Sequence, residues 1–195
     1  MQKDSLLQLL RAKDTVFTTN EVALLWGETD ARLVRKRLYR YVKSGKLYPL
    51  RRGIYARIKD YDKYELATKI YTPAYISYET VLAKAGVIFQ FYSQVFVASY
   101  LTREIIVDKQ TYSFRKIKDS ILTNPAGIES KDGYSIATPE RALLDIIYHN
   151  KDYHFDHLGN IEWDSVLTIL PIYGGNKRME QLVNKYQKAT QKGIM

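Results

Sequence analysis

Residues 31–59, ARLVRKRLYRYVKSGKLYPLRRGIYARIK, hold eleven Lys or Arg (Arg32, Arg35, Lys36, Arg37, Arg40, Lys43, Lys46, Arg51, Arg52, Arg57 and Lys59) and no Asp or Glu. Asp30 and Asp60 close the stretch at either end. Asp30 is a good N-cap, and the spacing predicts a helix from about Ala31 to Ser44, ended by Gly45. At about 100° per residue, Ala31, Val34, Leu38, Tyr41 and Val42 fall on one side of that helix. Arg32, Lys36, Tyr39, Arg40 and Lys43 fall on the other, so the charge forms a stripe about three turns long. KLYPL and IYARI then read as two short strands around the tight turn RRG, with Arg51 and Arg52 at the tip.

Upstream, SLLQLLRAK places Leu6, Leu7, Leu9 and Leu10 in a short first helix that Asp4 or Ser5 can cap. In TTNEVALLWG, Thr18 and Glu21 stand at capping-box spacing, Val22, Leu25 and Trp26 form an apolar stripe, and Gly27 sits where a helix ends in a left-handed turn. Three helices followed by a hairpin is the order of a winged helix-turn-helix, whose second helix of the pair enters the DNA major groove while the wing lies along the backbone. Phosphates attract the basic stripe and the basic tip without regard to sequence. Base-edge contacts are expected from Arg32, Arg35 and Lys36 at the front of the helix, since Arg pairs bidentately with guanine. The candidate DNA-binding residues are Arg32, Arg35, Lys36, Tyr39, Arg40, Lys43, Arg51 and Arg52.

A charged helix face is ordinarily a solvated one, and Tyr39, Tyr41, Tyr48 and Tyr55 read equally well as core or surface aromatics. A solvated face, however, mixes Glu with Lys for support at i,i+4. Here like charges accumulate, which costs folding stability unless a polyanion gains from it. RNA is a weaker expectation, because no stacking-platform signature of the RNP type is present.

The charge is also unevenly divided along the 195 residues. Residues 1–60 carry 14 basic and 6 acidic side chains, a net of +8, and residues 61–195 carry 16 and 15, a net of +1. That asymmetry predicts a basic module that meets a polyanion, followed by a near-neutral module with another task. With 46% hydrophobic and 26% charged residues, the composition is that of a globular chain rather than a disordered one. No apolar run approaches the roughly 20 residues needed to span a bilayer. MQKDSLLQ is charged early and lacks a signal-peptide pattern. There is no cysteine, so neither a disulfide nor a thiolate metal site is possible. A cytoplasmic protein without a membrane partner is expected. No repeat of 20–50 residues stands out.

Past Asp60, KYELATKI (63–70) reads as a bridging helix stopped by Pro73. YISYETVLAKAGVI reads as a short strand, Ser77 as N-cap, a helix, and Gly86 as terminator. QVFVASY and REIIVDKQTYSFRKI have strand-like β-branched and aromatic content. In GYSIATPERALLDIIYH a strand ends at Ala137, Thr138 caps, Pro139 takes the first helical position, and Glu140 favours the positive end of the dipole. Two further helices are expected around Trp163–Leu170 and Asn176–Lys188. The expected architecture is α+β: a winged helix-turn-helix over 1–59 and a larger mixed α/β domain over 63–195. No dimerisation heptad is visible, although pairing on an inverted repeat would suit so small a DNA-binding module.

Three stretches together, in order and spacing, resemble one family. GKLYPLRRGIYAR resembles its wing, PAYISYETVLAKAGVI the opening helix of its second domain, and IATPERALLD its Thr-Pro-Glu-x-Ala-Leu-Leu-Asp segment. The family is the AbiEi-like antitoxins of type IV toxin–antitoxin systems, linked to abortive infection of phage, and the resemblance covers about residues 5–150. It implies that the winged helix binds operator DNA near the promoter of its own operon and represses it. It also implies that the second domain counteracts a nucleotidyltransferase-like toxin without forming a stable complex with it. The DNA-contacting positions carried over are the basic residues of the third helix and the wing. Thr138, Pro139, Glu140 and Asp145 match the third segment, and helix-start chemistry is sufficient reason for them.

Enzyme readings are weaker. HNKDYHFDH (149–157) contains all three histidines with Asp152 and Asp156, but in what reads as a polar loop without a further ligand pattern. Glu129 and Lys131, with Asp108 or Asp119 upstream, suggest the acids and Lys of a Mg²⁺-dependent nuclease. The string runs directly into Asp132-Gly133, a strong turn pair, and reads as a turn tip. There is no P-loop, dinucleotide motif or G-x-S-x-G. No catalysis, metal or cofactor is expected. The alternatives to an autorepressor and antitoxin are a winged-helix regulator whose second domain binds a ligand or dimerises, and a winged-helix-fused nuclease.

Overall fold

The computed structural model describes residues 5–191. The chain is mixed α+β, with nine α-helices and two sheets among the described residues. It divides into two compact units: residues up to Ile70 together with Asp132–Tyr134, and Tyr71–Lys131 together with the chain from Ser135 onward.

The first unit opens with α1 (Ser5–Arg11), β1 (Val16–Thr18) and α2 (Thr19–Trp26). Asp4, one of the two expected caps of α1, lies outside the described residues. The capping box forms as its spacing predicts: Thr18 accepts from the Glu21 N–H at 3.2 Å, and Glu21 accepts from the Thr18 N–H at 2.7 Å. Gly27 ends α2 at φ 62°. Helix α3 (Ala31–Lys43) starts at Asp30, which accepts from the Arg32 N–H at 2.7 Å, and Ser44 is its C-cap. The hairpin follows as β2 (Tyr48–Arg51) and β3 (Ile54–Ala56). Strand β1 is absent from the sequence expectation, because three residues are too few to show an alternation. It pairs antiparallel with β3, giving a sheet in the order β1-β3-β2. Leu9, Phe17, Val22, Val34, Leu38 and Leu47 form the core, edged by Trp26, Tyr41, Val42 and Tyr55.

Helix α4 (Lys63–Ile70) belongs to this first unit, where the sequence placed it at the head of the second segment. Polar side chains anchor it. The buried Glu65 carboxylate accepts from the Thr15 N–H (2.7 Å), the Thr15 hydroxyl (2.9 Å) and the Val16 N–H (2.7 Å). Lys69 pairs with Asp14 at 2.9 Å and Glu21 at 3.1 Å and donates to the Val16 carbonyl at 2.7 Å. Gly133 approaches so closely that a Cβ there would lie 2.8 Å from the Glu65 side chain.

The second unit, with Tyr134 at the start of its last strand grouped with the first unit, holds a six-stranded mixed sheet in the order β6-β7-β5-β4-β9-β8: β4 (Ala74–Ile76), β5 (Val95–Ser99), β6 (Arg103–Val107), β7 (Gln110–Lys116), β8 (Ile128–Lys131) and β9 (Tyr134–Ala137). Its helices are α5 (Tyr78–Lys84), α6 (Asp119–Leu122), α7 (Pro139–His149), α8 (Trp163–Ile169) and α9 (Lys177–Gln191), with a 3-10 turn over Leu170–Tyr173. The four-residue α6 carries no periodic signal and was not expected. Thr138 caps α7 by accepting from the Arg141 N–H at 3.3 Å, and Pro139 stands in its first turn. Ser77 precedes α5 but makes no side-chain cap bond; its hydroxyl turns inward instead. No helix among the described residues is long and apolar enough to cross a membrane.

Candidate functional site

The face of α3 is built by a division of labour along one helix. Val34 and Leu38 are fully buried and Tyr41 and Val42 partly so, which fixes the rotation of the helix on its core. Ala31 is exposed, since it starts the helix ahead of the packed turns. The opposite arc carries Arg32, Arg35, Lys36, Tyr39, Arg40 and Lys43, and every one of them is exposed. Arg51 and Arg52, at the end of β2 and in the turn, are exposed as well. A cleft of about 430 Å³ lined by Tyr39, Val42, Pro49, Leu50, Arg51, Arg52, Gly53 and Tyr55 joins the two sets, bringing the helix face and the hairpin tip together.

The eleven cations of the opening stretch are not equivalent. Arg57 donates to the Leu10 and Ala12 carbonyls at 2.9 and 2.6 Å, closing the end of α1 where carbonyls lack helical partners. Arg37 lies 5.9 Å over the Trp26 ring and 3.6 Å from Glu28. Lys59 lies 5.7 Å over the Tyr48 ring. These serve the fold. Arg32 lies 3.6 Å from the half-exposed Asp30. Among the described residues, Arg35, Lys36, Arg40, Lys43 and Arg52 have no carboxylate in ion-pairing range. Lys43 sits 5.4 Å over the Tyr39 ring, in cation–π range. Such an array concentrates positive potential along one helix and one turn, which draws multiply charged anions and is weakened by salt.

Sequence reasoning missed a second constellation, inside the second unit. Asp145 and Arg141, one turn apart on α7, are both completely buried with Arg141 Nε 3.4 Å from Asp145 Oδ1. Asp145 accepts from the Ser77 hydroxyl (2.7 Å), the Tyr173 hydroxyl (2.7 Å) and the Tyr75 hydroxyl (3.0 Å). Arg141 donates to the Ala126 and Ile121 carbonyls, both at 2.7 Å, and to the Tyr75 hydroxyl at 3.0 Å. Burial pushes the Tyr75 and Tyr173 hydroxyls well above the ordinary tyrosine range, so they remain protonated donors. Burial also pushes the Asp145 carboxyl up, against the pull of Arg141 and the hydroxyl donors. The Thr-Pro-Glu-x-Ala-Leu-Leu-Asp segment is thus more than a helix start: its last residue is the hub of a buried network. The i,i+4 spacing of Arg141 and Asp145 inside an apolar run was the available signal.

Glu129 and Lys131 lie on the exposed β8, 3.6 Å apart, with the turn immediately after them. His154 is exposed, 3.8 Å from Asp156. Among the described residues, no group of three His, Asp or Glu side chains is placed to hold a metal ion.

No protein-family model matches the chain. No curated protein sequence matches it either.

Proposed function

We propose that this protein is a DNA-binding transcriptional autorepressor whose first unit is a winged helix-turn-helix, with α3 as the recognition helix and the β2–β3 hairpin as a short wing. The observation that carries this reading is the exposed arc of α3, Arg35, Lys36, Arg40 and Lys43, with no carboxylate in ion-pairing range among the described residues, continued across a shared cleft by Arg51 and Arg52. A face that merely kept the protein in solution would gain from interspersed acids; this one is favourable only beside a polyanion. Arg51 and Arg52 position the protein on phosphates, and Arg35 and Lys36 reach base edges.

On the resemblance of its three motifs to the AbiEi-like family, we further propose that the operator lies upstream of its own gene. On the same basis the second unit opposes a nucleotidyltransferase-like toxin, without a stable complex and without catalysis of its own. A reporter driven by the DNA upstream of the gene tests the first claim. The intact protein should silence it, and a double Arg35→Ala, Lys36→Ala variant should release it. Co-expression with the adjacent gene tests the second, since the protein should restore growth that the neighbour alone arrests. Growth arrest that persists at full antitoxin level would remove the antitoxin assignment and leave the repressor standing.

A further inference from the structure

We infer that Tyr39 is a sequence-determining residue of this interface and that it reads the C5-methyl group of a thymine in the major groove. The inference rests on the DNA-binding reading above and assigns a base to one residue within it. Tyr39 lies near the middle of the basic arc, one turn after Arg35 and Lys36 and one turn before Lys43. Tyr39 is 59% exposed, although the partly buried Val42 and Tyr55 line the same cleft. A ring held in water at the centre of a charged face gains free energy when an apolar group covers it on binding. Among the base edges of the major groove, the thymine methyl is the one apolar group. The cations around Tyr39 are committed elsewhere by their chemistry: guanidinium and ammonium groups seek guanine acceptors and phosphate oxygens. Lys43, 5.4 Å over the ring, restrains Tyr39 and lowers the entropy cost of presenting it. Val42, Pro49 and Tyr55 extend the apolar surface beside it, so the methyl enters a lined recess rather than an isolated ring.

The test uses the full-length chain and a randomised duplex pool, so that no operator need be known beforehand. The best-enriched duplex is resynthesised with each thymine replaced in turn by deoxyuridine, which deletes one methyl and keeps every hydrogen-bonding group. The wild-type protein should lose about fourfold in affinity at one position, the worth of one buried methyl. Tyr39→Ala should lose that sensitivity while still binding, and Tyr39→Phe, which retains the ring, should keep it. Deoxyuridine insensitivity of the wild type at every position, or unchanged sensitivity in Tyr39→Ala, overturns the inference and leaves DNA binding intact. Loss in Tyr39→Phe equal to that in Tyr39→Ala also overturns it, because the hydroxyl and not the ring would then make the contact. Failure of the wild type to enrich any sequence overturns both the inference and the reading beneath it. Tyr39 is solvent-facing, so both variants should unfold at the wild-type denaturant midpoint, which checks that the comparison is between folded proteins.

Discussion

The molecule uses charge in two opposite ways. On α3, Arg35, Lys36, Arg40 and Lys43 stand in water with no carboxylate in ion-pairing range among the described residues. On α7, Arg141 and Asp145 are withdrawn from water altogether, and five neighbouring groups hydrogen-bond to them: three hydroxyls and two carbonyls. The exposed set keeps its solvation and loses little by having no partner, so it is free to meet one that arrives. The buried set has lost its solvation and depends on every partner it has. The first arrangement suits the binding role proposed for it, and the second holds α7 against Tyr75, Ser77 and Tyr173.

Substitutions should separate the two. The largest effect is expected at Asp145→Ala, which strands a buried guanidinium and should cost about 3–5 kcal/mol in chemical denaturation. A cost within experimental error would erase the contrast drawn here. Next come Arg35→Ala and Lys36→Ala. Each should leave stability unchanged and relax preference at one or two base pairs by about 1–3 kcal/mol, read from competition among duplexes with single-pair changes. Arg52→Ala should be milder still, weakening all duplexes nearly equally and reducing the slope of log affinity against log salt by about one. If Arg52→Ala altered base preference as Arg35→Ala does, the division into positioning and reading residues would fail.

The smallest effect concerns Glu65, a third kind of ionisable group: buried, with Thr15 and Val16 as its hydrogen-bond donors. Burial raises its pKa in the folded protein above the ordinary glutamate value, despite the Thr15 and Val16 donors. A raised folded value means that the folded state holds the proton more tightly than the unfolded one. The resulting stabilisation is fully present below the ordinary glutamate pKa of about 4.3 and is lost as pH rises through the raised value. Denaturation midpoints followed upward from about pH 4 should therefore fall more in the wild type than in Glu65→Gln, which does not titrate. A steeper fall in Glu65→Gln would reverse the sign assigned to this group.

The same contrast governs what the sequence could disclose. Helix α3, its Asp30 cap, the Thr18–Glu21 box and the β2–β3 hairpin are all legible, because each rests on residues within a turn or two of one another. Exposed charge is legible too, since an unbroken run of cations has few places to hide. What escaped were features made by distant residues. Strand β1 exists through its pairing with β3, and α4 joins the first unit because Glu65 meets Thr15 and Val16 from 50 and 49 residues away. Ser77 looks like a helix cap by position, but Asp145, 68 residues on, takes its hydroxyl. Arg57 sits in the basic run and resembles its neighbours, yet it closes α1, 45 residues before it, at the Ala12 carbonyl.

The central claim is that the α3 face and the hairpin tip together recognise a particular DNA sequence. Fluorescence anisotropy of the intact protein tests it most directly, with a duplex from immediately upstream of its own gene and a scrambled duplex of equal composition, over a salt series. The account predicts salt-dependent binding that favours the native duplex by about 10³-fold or more. Equal affinity for both duplexes at every salt concentration would contradict it, reducing the basic face to a grip on any polyanion.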